Sequence, residues 1–237
     1  MQDFQFKQFV VRQRLAAMKV GTDGTLLGAW AHCSGQRILD IGSGTGVVAL
    51  MLAQRFAQAQ IDAIEINLQA AEEAQKNFAA SPWSNRLSLY AQGLQSFSAS
   101  EGYDLIVSNP PFYPEAQFSK ALNKDRRQAR SSLSLGFEEL LEHSLALLAP
   151  AGQLAIILPT AQALYFHELA QEAGLFLHRR CDFISRLGKA PKRLLLQWGQ
   201  APIEKPQQQE IIMRQGPPDY AYADSYRQLL TDFLIIF

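Results

Sequence analysis

From Gln36 onward the chain alternates short continuous apolar runs with longer stretches of helical apolar period, and this alternation constrains the fold more than any other feature. A strand covered on both faces reads as an unbroken apolar run, whereas the helices that cover it repeat their apolar residues once per helical turn. Strand candidates are Arg37 to Ile41, Ile61 to Ile66, Leu87 to Ala91, Tyr103 to Ser108 and Leu154 to Leu158. Helices are expected near Val47 to Phe56, Leu68 to Ala80, Phe137 to Leu148 and Ala161 to Ala173. The series ends differently. Phe176 to Ile184 and Arg193 to Trp198 are separated only by a short turn over Leu187 to Pro191, too little chain for a crossover helix, so this pair is expected to be antiparallel. The expectation is an α/β fold: a seven-stranded, mostly parallel sheet with helices on both faces and a C-terminal antiparallel hairpin.

Beyond the hairpin, Pro202 to Gln209 reads as a linker rich in proline and glutamine. A short run Ile211 to Arg214, a break at Gly216-Pro217-Pro218 and a terminal helix from Asp219 to Thr231 follow, and Phe233 to Phe237 is expected to dock on the core. The 237 residues, 48% hydrophobic and 19% charged, suffice for one large core and exclude a disordered chain. Twenty-two basic residues balance twenty-two acidic ones, so any affinity for nucleic acid must come from local clusters. Cys33 and Cys181 form no CxxC pair, and the histidines lack metal-ligand spacing, so no disulfide and no metal site are expected. With no apolar run long enough to span a bilayer and no signal-peptide pattern at Met1 to Phe9, a cytosolic protein is expected; a monomer is also expected.

Asp40-Ile-Gly42-Ser-Gly44-Thr-Gly46 places three alternating glycines between the first of these strands and its helix. Glycines permit a tight turn and the close approach of a ligand, but Gly44 to Ala49 also satisfies the dinucleotide fingerprint, so the loop alone does not choose a cofactor. Two carboxylates narrow the choice. Glu65, at the end of the second strand, is placed to accept hydrogen bonds from both ribose hydroxyls, and Asp40, at the mouth of the loop, would repel a pyrophosphate but attract a sulfonium. S-adenosylmethionine is therefore expected as cofactor. After the third strand stands Gln92, whose amide oxygen is an acceptor for an adenine amino group.

Ser108-Asn109-Pro110-Pro111-Phe112 ends the fourth strand at the sheet edge where ligands of open α/β folds bind. Two successive prolines remove two backbone donors and leave carbonyls free to accept, while Asn109 adds a side-chain oxygen. A planar NH2 group that gives one hydrogen to the Asn109 amide oxygen and one to the Pro110 carbonyl has its lone pair directed at a methyl donor. Phe112 would stack on the ring that carries the amine.

Over Arg37 to Ile66 the sequence resembles the cofactor half of class I, Rossmann-like methyltransferases, and Asn109 to Phe112 resembles the signature of those acting on adenine N6, guanine N2 or a protein glutamine amide. Phe4 to Phe9, Ala17 to Trp30 and the ending Tyr226 to Phe233 extend the likeness over nearly the whole chain, to the bacterial family that methylates N6 of adenine 37 in the anticodon loop of a valine tRNA. The resemblance implies that Lys19, Gly21, Thr22 and Asp23 fold over the cofactor. It implies an N-terminal segment over residues 1–35, a methyltransferase core over 36–200 and a C-terminal extension of the same domain over 201–237. Asn109, Pro110, Pro111 and Phe112 are the expected catalytic residues. Asn109 also joins Asp40, Glu65, Gln92 and the glycines Gly42, Gly44 and Gly46 in the expected cofactor set.

A tRNA partner needs basic patches, and three are available. Lys120, Lys124, Arg126, Arg127 and Arg130 follow the Asn109 motif; Arg179, Arg180, Arg186, Lys189, Lys192 and Arg193 surround the hairpin turn; Lys7, Arg12, Arg14 and Lys19 form a third. Of these, the first group with Arg186, Lys189, Lys192 and Arg193 are the expected tRNA contacts. The residues leave open a glutamine amide or rRNA guanine as substrate, an NAD-binding oxidoreductase, and an RNA-binding protein without turnover.

Overall fold

The computed structural model describes residues 3–15, 19–112, 135–218 and 220–237. Lys120, Lys124, Arg126, Arg127 and Arg130 lie outside the described residues.

Arg37–Ile41 (β3), Gln60–Ile64 (β4), Leu87–Tyr90 (β5), Tyr103–Ser108 (β6), Leu148–Pro159 (β7), Phe176–Ile184 (β8), Arg193–Gly199 (β9) and Gln207–Ile212 (β10) form one eight-stranded sheet in the order β10-β8-β9-β7-β6-β3-β4-β5. Only β9 runs against the others, antiparallel to both β7 and β8. Within the strands, neighbouring residues alternate between two cores. Ile38, Leu105, Val107, Ala155 and Ile157 face one layer; Leu39, Ile106, Leu154, Ile156 and Leu158 face the other. This is the period-2 pleat with both faces apolar that a covered sheet requires. Helices Val47–Arg55 (α2) and Leu68–Ala79 (α3) bury residues in the first layer, as does Thr22–Trp30 (α1). Leu135–Leu147 (α4) and Thr160–Glu172 (α5) cover the second.

Three features correct the sequence reading. The sheet has eight strands instead of seven, because the stretch read as a linker ends in β10, which pairs in parallel with β8 from Gln207↔Arg179 to Ile212↔Ile184. Gln207, Gln208, Gln209 and Glu210 are all exposed, so this edge strand is held by backbone pairing and carries little apolar signal. The terminal helix is confined to Asp224–Leu230 (α6), because Gln215 N–H donates to Ala221 O and Arg214 bridges to Tyr222, which commits that backbone to a turn. Helix α1 is additional. Gly24 to Trp30 are all buried, so the helix has no polar face to give it a period, and Gly28 lies where a Cβ would come within 2.9 Å of Met51 Cβ on α2.

Phe4–Gln5 (β1) and Val10–Val11 (β2) make a small antiparallel pair. It meets the chain's other end: Phe6 bridges Leu234, and Lys7 N–H donates to Phe233 O at 2.8 Å. Phe233 and Leu234 are buried, as expected for a docked tail, whereas Ile235 and Ile236 are each 60% exposed. The N-terminal segment also grips α3 and the glycine loop through Asn77, which exchanges hydrogen bonds with the Arg12 backbone and donates to Thr45 O at 2.9 Å. Cys33 and Cys181 are free, buried thiols. Among the described residues no helix is long and apolar enough to cross a membrane.

Candidate functional site

The strands that run together all end at one edge of the sheet, and β3 opens there into the glycine loop. Gly42, Gly44 and Gly46 have φ of +72°, +55° and +79°, a region costly for residues with a side chain. The loop is pinned by Gly42 and Ser43 N–H groups donating to Ile64 O and by Gly46 N–H donating to Ser43 O. The three glycines do different things. A Cβ on Gly42 or Gly44 would meet nothing within 4 Å, so both border open space, whereas a Cβ on Gly46 would fall 2.4 Å from Phe78 Cε1. Gly46 thus serves the packing of α2 on α3, and the other two form a cradle.

Beside that cradle is a cleft of about 260 Å³ lined by Gly42, Glu65, Ile66, Gln92, Leu94, Ser108, Pro110, Pro111 and Leu140, among others. Four predictions of the sequence converge here: the first glycine, the carboxylate after β4, the glutamine after β5 and the prolines after β6. Glu65 is held by two backbone donors, Gly44 N–H to Oε2 at 2.9 Å and Asn67 N–H to Oε1 at 2.8 Å. Each carboxylate oxygen therefore keeps one lone pair for a ligand. Ser108 Oγ donates to Ile41 O at 3.0 Å, fixing the end of β6 against β3 at the mouth of the cleft.

The cleft walls do not include Lys19, Gly21, Thr22, Asp23, Asp40, Gly44, Gly46 or Asn109. Asp40 is buried, and its Oδ2 accepts Ala49 N–H at 3.2 Å, so its present partner is the first turn of α2. Burial pushes its carboxyl up to about 7; the Ala49 hydrogen bond opposes this and the nearby Glu65 charge adds to it. Asn109 lies against α1: a Cβ on Gly24 would stand 4.0 Å from its Nδ2. Gly21 precedes α1, and its carbonyl accepts Thr25 N–H and Thr25 Oγ at 3.2 Å; the Thr22 carbonyl accepts the same hydroxyl at 2.9 Å. Lys19 is exposed and reaches Gln13 O.

Phe112 is 43% exposed, with the Arg193 guanidinium carbon 4.9 Å from its ring centroid. Arg193 also donates from Nε to Asp23 Oδ2 at 2.8 Å, so Asp23 at the start of α1 is joined to Phe112 through one side chain of β9. Arg186, Lys189 and Lys192 are exposed around the β8–β9 turn, which lies at the same sheet edge, and Arg186 stacks on Tyr220.

Ile66 and Leu94 were not singled out by sequence reasoning. Ile66 is 72% exposed directly after Glu65 and offers an apolar wall for a planar ring. The available signal was an apolar residue following a carboxylate at the carboxyl end of a strand, which reads equally as the strand's last core residue.

The model of the methyltransferase small domain matches residues 20–176. A tRNA1(Val) (adenine(37)-N6)-methyltransferase of Trichodesmium erythraeum is 42% identical over 98% of this chain and 97% of its own length. The protein of the same name from Aeromonas hydrophila is 43% identical, again over 98% and 97%. Among solved structures, a predicted O-methyltransferase of Agrobacterium tumefaciens superposes with a TM-score of 0.68 at 18% identity, covering 89% of this chain and 96% of that one, which is a likeness of fold.

Proposed function

The chain belongs to the family of tRNA1(Val) (adenine(37)-N6)-methyltransferases, and from that premise we infer that it transfers a methyl group to the exocyclic N6 of adenine 37 in tRNA1(Val). The observation that carries the chemistry is that Pro110 and Pro111 line the same cleft as Gly42 and Glu65, so an amine held by the prolines lies beside whatever the carboxylate holds.

We assign the cleft to S-adenosylmethionine. The residues present fit it: Gly42 and Gly44 leave room at the loop, Glu65 retains acceptor positions for two hydroxyls, and Ile66 and Leu94 line the cleft together with Gln92, whose amide suits an adenine edge. When bound, the cofactor supplies a methyl group activated by a sulfonium. The protein's own contribution is placement. The Asn109 amide oxygen and the Pro110 carbonyl accept the two amine hydrogens, Phe112 stacks on the purine, and fixing the reacting atoms in line can contribute roughly 7–11 kcal/mol of rate acceleration. No strong base is needed, because the amine loses its proton only after methylation has made the nitrogen cationic. The exposed Arg186, Lys189 and Lys192 supply phosphate contacts at the same edge, where the unstacked anticodon loop is the accessible part of the substrate.

The test is product identity. Purified protein incubated with unmodified tRNA and methyl-labelled cofactor, followed by digestion to nucleosides, is expected to yield labelled N6-methyladenosine. Label in N2-methylguanosine, in protein glutamine or nowhere would overturn the assignment.

A further inference from the structure

We propose that Arg193 is a positioning residue for methyl transfer: it backs one face of Phe112 so that the target adenine stacks on the other. The proposal deepens the assignment of Phe112 as the stacking residue and rests on it. Among its neighbours on the hairpin Arg193 is unusual. Arg186, Lys189 and Lys192 are exposed, whereas the Arg193 side chain is only 23% exposed and is held by an ion pair, a backbone carbonyl and a ring contact. Its Nε meets Asp23 at 2.8 Å, its Nη1 donates to the Lys192 carbonyl at 3.0 Å, and its guanidinium carbon sits 4.9 Å from the Phe112 ring centroid.

The fold explains why a β9 residue reaches the site. Because β9 alone runs backwards, its first residue lies where the parallel strands end, and Arg193 pairs with Pro159, the last residue of β7. The turn before it is anchored by Thr160 Oγ donating to Pro191 O at 2.7 Å and by Lys192 N–H donating to Phe183 O. Asp23, fixed by the buried helix α1, then sets the plane and distance of the guanidinium, whose flat face suits an aromatic ring. The exposed phenyl ring gains a fixed attitude next to Asn109 and Pro110.

An arginine engaged in this way makes a different kinetic prediction from one that touches RNA phosphate. A positioning role concerns geometry realised in the reaction step, so Arg193→Gln is expected to lower kcat about 3- to 30-fold, with KM for tRNA and its salt dependence little changed. Arg193→Lys, which keeps the charge but loses the planar fork, should recover part of kcat. The double exchange Asp23→Arg with Arg193→Asp tests the ring contact: it should restore the melting temperature lost in the single variants, but not kcat, because a carboxylate cannot stack on Phe112.

A raised KM with a shallower salt slope and unchanged kcat would make Arg193 a phosphate contact and overturn the proposal. So would an unaltered kcat in Arg193→Gln, or full recovery of kcat in the double exchange. Phe112→Ala measured alongside separates the two levels. If it loses kcat while Arg193→Gln does not, only the positioning role fails; if Phe112→Ala keeps kcat, the stacking reading beneath it fails.

Discussion

Replacing Glu65 with glutamine should be no gentler than replacing it with alanine, and the reason lies in how its two oxygens are used. Oε2 accepts Gly44 N–H and Oε1 accepts Asn67 N–H, so each oxygen faces a different backbone donor. An amide has one oxygen and one NH2 group. In either flip, the NH2 confronts a backbone N–H, and the donor that faces it loses its partner. The glycine loop loses a tether, and one ribose acceptor becomes a donor. A hydrogen bond to a charged group contributes about 1.5–3 kcal/mol, so the loss of one such bond to the cofactor corresponds to roughly 10- to 150-fold in Kd. Glu65→Gln and Glu65→Ala are both expected to fall in or beyond that range. Isothermal titration with S-adenosylmethionine and with S-adenosylhomocysteine provides the assay. Both carry the ribose, so both should weaken by the same factor, and kcat at saturating cofactor should change little. If Glu65→Gln binds either compound as tightly as the unaltered protein while melting normally, the carboxylate does not grip the ribose.

Asn109→Ala should lower kcat by tens to thousands of fold with nearly constant cofactor affinity; parallel loss of cofactor in equilibrium dialysis would refute an amine-orienting role. Asp40 offers a pH test in the unliganded protein. Its folded carboxyl, pushed up to about 7, holds a proton that the unfolded chain releases near 3.8, so its contribution to stability is fully present below pH 4 and is lost as pH rises to about 7. Asp40→Asn should remove that downward slope, and urea denaturation between pH 4.5 and 8 giving the same slope for both proteins would contradict it. Gly46→Ala adds the cost of positive φ to a collision with Phe78 and should destabilise by roughly 2–5 kcal/mol. Gly42→Ala, at φ +72° but facing open space, should cost only about 1–2 kcal/mol while weakening cofactor binding more than Gly46→Ala does. Equal melting temperatures for the two variants would show that the loop glycines are interchangeable.

The sheet was legible where strands are buried on both faces, because Ile38 and Leu39, Leu105 to Val107, and Leu194 to Leu196 are consecutive buried apolar residues. β10 was not, since an edge strand with exposed glutamines looks like the linker it follows. Helix α1 escaped for the opposite reason, being buried on every side from Gly24 to Trp30 with glycines at its tight contacts. Among the candidate site residues, the convergence of those at strand ends was readable from position alone: Gly42, Glu65, Gln92, Pro110 and Pro111 line one cleft. Contacts between distant side chains were not. No spacing rule connects Asp23 to Arg193 across 170 positions, or reveals that Gly46 packs against Phe78.

The reversed course of β9 has a consequence for how such an enzyme can diversify. A hairpin that folds back at the carboxyl edge of the sheet sets its turn beside the candidate site while its strands remain locked in the sheet. On the proposed assignment of this turn to RNA phosphates, changes in the length or charge of residues 185–190 are expected to alter which RNA is admitted without disturbing the glycine loop or the Asn109 strand. Arg193, tied to Asp23 and paired with Pro159, marks where that freedom ends.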